Sequence, residues 1–142
     1  VEVTGIDNAI SISAGDFGLH NCAIISDNRI KCWEWNQDGQ LGDGTITSSS
    51  TPVVVTGINN AMAVATGNAH TCALLFSGEI KCWGLNGMGQ LGNASIADSS
   101  TPVLVRGITT AVAVATGYLH ACAVLSDGHI RCWGYNDLWS IG

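Results

Sequence analysis

Apolar and polar residues follow one another along this chain in short blocks, and the blocks return. From His70 to Phe76 neither face carries a charge, which is the pattern of a strand buried on both sides. Ser77-Gly78 interrupts the run with a turn signal, and Glu79–Trp83 then alternates. Ile80 and Cys82 take one face, Lys81 and Trp83 the other. A hairpin centred on Ser77 pairs Leu74 with Ile80, Cys72 with Cys82 and Ala73 with Lys81, and the small alanine leaves room for the nearby indole. Val53-Val54-Val55, between Pro52 and Gly57, and Ala61–Ala65, stopping before Gly67, are two further strand-like runs. Asn86–Gly89 and Ser99–Pro102 read as loops. No segment sustains a 3.6-residue apolar period with caps, so the spacing predicts strands throughout.

The blocks recur in register. His20, His70 and His120 are 50 residues apart, as are Cys22, Cys72 and Cys122, Cys32, Cys82 and Cys132, and Trp33, Trp83 and Trp133. Asn36, Asn86 and Asn136 follow, and Gly42, Gly92 and Gly142 close each unit. A two-residue slip lies between Gly15 and His20, where Asp16-Phe17-Gly18-Leu19 stands against Asn68-Ala69 and Tyr118-Leu119. Residues 1–142 thus read as one propeller segment of three repeats, about 1–42, 53–92 and 103–142. Four short strands per unit predict an all-β propeller of four-stranded antiparallel blades.

Composition narrows the function. Charged residues make up 11 % of the chain, against about 25 % in ordinary domains, as expected when most positions are buried between strands. Five basic against eleven acidic residues leave a net charge of −6. That balance argues against nucleic acid or an anionic membrane surface as partner. No apolar run approaches the ~18 residues of a membrane span. No basic start leads into an apolar stretch, so the chain is expected to be a mature or trimmed segment.

The run from Gly67 to Gly92 places Gly67-x-x-His70, Ala73-Leu74, the turn Gly78, Trp83-Gly84-x-Asn86 and Gly89-Gln90-Leu91-Gly92 in order. In these motifs it resembles the repeat of the regulator of chromosome condensation family, over nearly the whole chain, three times. The resemblance implies a propeller, usually seven-bladed. It implies the His strand nearest the axis, the Trp strand next, and the Pro-Val-Val and Ala-rich strands outside. Relatives exchange nucleotide on a small GTPase or inhibit enzymes, and nothing specific to the GTPase role maps onto residues here. The chain departs from the pattern at Glu34, where Gly84 stands in the next unit, and at Trp139-Ser140-Ile141-Gly142.

The cysteines fall in three pairs, Cys22 with Cys32, Cys72 with Cys82 and Cys122 with Cys132, directly opposed in each hairpin. Opposed Cα atoms lie about 4.5–5.5 Å apart, within disulfide range. Three disulfides fit a secreted or periplasmic protein, and the pairs look like the repeat variant of exported bacterial proteins. Buried free thiols in a cytosolic protein are the alternative. A ten-residue spacing lacks the form of a zinc site, so no metal is expected.

His20, His70 and His120 read as structural imidazoles satisfying backbone groups, rather than as a metal or anion ring. Trp33, Trp83 and Trp133 read as blade packing. Trp35, Tyr135 and Trp139 are the candidate binding aromatics. Asp43, Asp98 and Asp137 are loop acids without an acid–base partner, and no phosphate loop or nucleophile triad is present. Asn93-Ala94-Ser95 fits an N-glycosylation acceptor only weakly. No cofactor and no catalysis are expected.

A propeller takes typically 4–8 blades, and three repeats fall short. Family strand order would make His20–Thr66 and His70–Thr116 complete blades. It would leave Val1–Ala14 as two outer strands and His120–Gly134 as two inner ones. Two copies, head to tail, would then close a six-bladed homodimer through these half-blades. A piece of a longer seven-bladed chain is the alternative. The expected function is a non-catalytic scaffold for an unknown protein partner, bound through loops 16–19, 43–50 and 93–100. The alternative is a lectin-like module using Trp35, Tyr135 and Trp139.

Overall fold

A computed structural model describes residues 1–15, 17 and 19–136. Its eleven strands are β1 (Ala9–Ala14), β2 (His20–Ile25), β3 (Ile30–Glu34), β4 (Ser49–Val54), β5 (Ala61–Thr66), β6 (His70–Leu75), β7 (Ile80–Gly84), β8 (Ser99–Leu104), β9 (Ala111–Thr116), β10 (His120–Leu125) and β11 (Ile130–Gly134). They form three antiparallel sheets in simple meander order: β1-β2-β3-β4, β5-β6-β7-β8 and β9-β10-β11. These are the blades of a β-propeller, numbered 1 to 3 below.

The central hairpins have the register that alternation and the turn residue demand. Cys72 lies opposite Cys82, Leu74 opposite Ile80 and Ala73 opposite Lys81. Blades 1 and 3 repeat this with Cys22 opposite Cys32 and Cys122 opposite Cys132. All three pairs are disulfides, with Cα atoms 4.0–4.1 Å apart.

Three expectations are corrected. The sheet order puts the Ala-rich strands β1, β5 and β9 at one edge, and these strands run against one another from blade to blade. They, not the His strands, are innermost. Blades converge at the axis, and the alanine, serine and threonine positions of these strands are small enough to be crowded there. Secondly, each blade begins on its Ala-rich strand. The complete blades are therefore Ala9–Val54 and Ala61–Leu104, and Ala111–Gly134 supplies three strands of the next. Neither end of the chain is the half-blade expected. Thirdly, Ser99–Pro102 is strand rather than loop, since β4 and β8 begin at Ser49 and Ser99. Both are edge strands, where the missing N–H of Pro52 and Pro102 is tolerated.

The core lies between blades. Ile24, Ile30 and Leu41 of unit 1 meet Leu75 and Trp83 of blade 2. Leu74, Ile80 and Leu91 meet Leu125 and Trp133 of blade 3 in the same way. Every residue of β6 is buried, because blade 2 is covered on both faces. The charge-free run from His70 to Leu75 is the trace of that burial.

Candidate functional site

The blades end in two different ways. At one end lie the tight β2–β3, β6–β7 and β10–β11 turns. At the other, the His strands begin and the Trp strands run out into long loops. The turn end also carries the six-residue β4–β5 and β8–β9 connections, and the longest described loops, between β3 and β4 and between β7 and β8, lie at the loop end.

A buried asparagine shapes the long loop in units 1 and 2. The Asn36 side chain donates from Nδ2 to the carbonyls of Thr45 and Thr47, both at 3.1 Å, and accepts the Leu41 N–H at 2.9 Å. Asn86 does the same with Ser95 at 3.0 Å, Ala97 at 2.9 Å and Leu91 at 2.9 Å. An amide is suited to this, offering two donors and an acceptor. Gln40 and Gln90 support the same turns, accepting the N–H groups of Asp38 and Met88. Asn93, in the acceptor-like tripeptide, spends its Oδ1 on Asn86 and on the Ser95 N–H.

A polar relay crosses the seam between blades 1 and 2. His20 Nε2 lies 2.8 Å from Thr71 Oγ1, and the Thr71 hydroxyl donates to the Gln40 carbonyl at 2.9 Å. Because the single hydroxyl proton goes to that carbonyl, the imidazole must donate, which sets its tautomer. The Trp83 indole N–H donates to the same carbonyl at 2.8 Å. Trp133 donates to the Gln90 carbonyl at 2.9 Å across the next seam. The expected backbone pairing of the imidazoles is thus corrected: His20 bonds a side-chain hydroxyl, and neither ring nitrogen of His70 finds a partner among the described residues. Burial, with the neighbouring His70, lowers the pKa of His20 from 6.5 to about 4. Burial also lowers that of His70 to about 4, opposed by the neighbouring His120 backbone and aided to a smaller extent by the His120 imidazole. Gly67 and Gly117 are required beside these rings, since a Cβ at either would strike the imidazole of His70 or His120.

The other selected residues separate by exposure. Trp83 is fully buried, Trp33 nearly so and Trp133 half-buried. Trp35 and Tyr135 are exposed at the loop end. Trp139 lies outside the described residues. Among the described residues no three metal-ligating side chains cluster. The acids Glu34, Asp38, Asp43 and Asp98 populate this end. Burial, with Asp98 nearby, holds the Asp38 carboxyl above its usual range. Glu34 takes φ 86°, where its equivalents Gly84 and Gly134 take 102° and 105°. The backbone path is therefore kept at a cost of about 1 kcal/mol.

Two exposed aromatics escaped selection. Phe17 and Tyr118 meet edge to face, ring centroids 6.0 Å apart and planes at 86°. The signal was present, for Phe17 lies in the two-residue slip. Sequence separation hid its partner in the third unit.

Comparison with known proteins places these features in a family. The sequence profiles of the regulator of chromosome condensation (RCC1) repeat match residues 29–74 and 77–124, and, in a second form, 63–90 and 111–138. No curated protein sequence matches the chain. Among solved structures, human WBSCR16 superposes with a TM-score of 0.85 at 20 % identity, covering 99 % of this chain and 38 % of that one. Prp20p from Saccharomyces cerevisiae, described with its binding to Gsp1p and histones, gives 0.83 at 21 %, covering 96 % and 35 %. Yeast RCC1 (Prp20) bound to Kap60 gives 0.81 at 22 %, covering 92 % and 33 %. The chain thus spans about a third of the length of the structures it matches.

Proposed function

The chain belongs to the RCC1 repeat family, and from that membership we propose that it is a non-catalytic scaffold whose loop end binds a protein partner. One observation carries the reading. The asparagine clamps repeat in units 1 and 2, while the loops they hold differ: Asp43–Ser48 reads DGTITS and Asn93–Asp98 reads NASIAD. A constant frame with variable loops is how a rigid fold presents recognition residues. Replacing both loops by glycine and serine, with Asn36 and Asn86 kept, should abolish capture of a cross-linked partner and leave the melting temperature near that of the parent. Capture unaffected by the loops overturns the reading.

We propose further that a second copy closes the ring. The outer face of blade 3 presents Ala113, Cys122, Val124 and Ile130. Their equivalents Ala63, Cys72, Leu74 and Ile80 in blade 2 are covered by blade 3. Ala9 and Ile12 lie exposed on the opposite face of blade 1, where their equivalents Ala61 and Val64 pack into a seam. Light scattering should give twice the 14.7 kDa of the chain, and a dispersed monomer sinks the idea. Further blades of a longer seven-bladed chain are the second reading, favoured by the one-third coverage of the matched structures.

The three disulfides require an oxidising compartment, so the protein is proposed to be exported. Thiol titration of unfolded, unreduced protein should find none, and six would refute export. Exposed Trp35 and Tyr135 also favour a lectin-like reading. It predicts glycan binding that is lost on Trp35→Ala.

A further inference from the structure

The two ends of the blades differ in charge. Arg29 sits in the β2–β3 turn, Lys31, Lys81 and Arg131 stand one residue into their strands beside the turns, and Arg106 follows β8 at the same end. These are all five basic residues of the chain. Three are already engaged: Arg29 with Asp27 at 2.7 Å, Lys31 with the Gly5 carbonyl at 2.9 Å and Arg131 with the Gly107 carbonyl at 3.2 Å. The loop end has none of the five, and it carries Glu34, Asp38, Asp43 and Asp98.

The same end carries a row of exposed aromatics. Phe17, 85 % exposed, meets Tyr118, 50 % exposed, at the start of the His strands. At the same end the Trp35 backbone N–H bonds the Leu19 carbonyl at 2.8 Å, two residues along from Phe17, and the Tyr135 backbone N–H bonds the Leu119 carbonyl at 2.9 Å, next in sequence to Tyr118. The row is thus the Phe17–Tyr118 pair with Trp35 and Tyr135 on the strand ends bonded next to it. Blade 2 carries the non-aromatic Asn68 and Leu85 at the positions of Tyr118 and Tyr135. Phe17 holds φ 60° to reach this place, a conformation costly for an aromatic residue. Phe17 is mostly exposed and the other three about half so, and exposed aromatics so grouped mark interfaces.

We propose that the loop end binds a lysine- and arginine-rich segment of a partner protein. The proposal rests on the scaffold reading above and names the partner's chemistry. Basic head groups lie over the faces of the ring row, where the ring quadrupole attracts cations. The flanking carboxylates of Glu34, Asp38, Asp43 and Asp98 supply charge complementarity, which steers association and orients it. No lysine or arginine stands at this end to neutralise these carboxylates, whose hydrogen bonds go to neutral groups: Glu34 accepts from Asn21, Asp43 from Thr45 and Asn36, and Asp98 from the Asn86 N–H.

Fluorescent nona-arginine is the probe, titrated onto the intact chain by anisotropy, with chitohexaose as the neutral sugar control. Binding should weaken steeply with salt. It should fall about tenfold in the double variant Phe17→Ala/Tyr118→Ala and severalfold in Glu34→Gln/Asp43→Asn. The turn-end variant Glu79→Gln/Asp127→Asn, with the same charge change, should bind as the parent does. Near-equal melting temperatures show that the exposed substitutions leave the fold intact. The proposal is overturned if the turn-end variant loses as much as the loop-end one, or if removing both rings changes nothing. It is also overturned if chitohexaose binds in place of the peptide and is lost with the rings. Absence of peptide binding, with loop-dependent protein capture intact, overturns the basic partner and leaves the scaffold reading standing.

Discussion

The seam between blades 1 and 2 and the seam between blades 2 and 3 use equivalent apolar positions and the same indole bond, yet they differ in their polar closure. In the first, Thr71 places a hydroxyl between the His20 imidazole and the Gln40 carbonyl. In the second, Ala121 occupies that position, and neither ring nitrogen of His70 has a hydrogen-bond partner among the described residues. A buried polar group without a partner costs about 1–3 kcal/mol. Blade repetition thus copies hydrophobic contacts faithfully, because many side chains of similar size satisfy them. Polar closure needs one particular atom and is lost with one substitution. The second seam is also more open, since Trp133 is half-buried where Trp83 is fully so.

The largest test of this contrast is Trp83→Ala. Removing a fully buried indole and its bond to Gln40 should cost about 3–5 kcal/mol by urea denaturation. Trp133→Ala should cost about half as much, and equal losses would erase the distinction between seams. Acid comes next. His20 and His70 have folded pKa values of about 4 against 6.5 unfolded. Between those values the unfolded chain binds more protons, so their contribution is whole above 6.5 and is lost as pH falls towards 4. Together they should remove on the order of a few kcal/mol, and His70→Gln should flatten that acid slope. An unchanged slope means that His70 is charged in the fold. Third, Cys72→Ala/Cys82→Ala should cost about 2–3 kcal/mol for its short closed loop, with Cys122→Ala/Cys132→Ala, on the uncovered face, costing less. The smallest effect is the sharpest. Thr71→Ala should destabilise by about 1–2 kcal/mol, and Ala121→Thr should stabilise by up to about 1 kcal/mol, both read from denaturation midpoints. If Ala121→Thr destabilises, the second seam cannot accept the relay.

Much of the fold was readable because it is local. The Cys72–Cys82 opposition followed from period-two alternation about Ser77, and the disulfides follow from that opposition. The order of strands within a blade was not readable. An Ala-rich strand pairs with a His strand equally well wherever the axis lies, and only packing of blade on blade makes small side chains necessary at the centre. The site was readable in part. Trp35 and Tyr135 are candidates from the sequence, and both are exposed at the loop end. Phe17 and Tyr118 were overlooked, because their meeting depends on how blades 1 and 3 turn about blade 2. Thr71 gave no signal, since a threonine in a strand is unremarkable until an imidazole from another blade meets it.

The chain by itself determined its three repeats, its strands, its hairpin registers and its cysteine pairs, for these are set by neighbours a few residues apart. The tertiary structure decided which strand lies at the axis, which histidine finds a partner, and that four exposed aromatics share one end with acids that have no lysine or arginine beside them. Each of these depends on side chains brought together from different blades, whose separation in sequence carries no information about the angle between them.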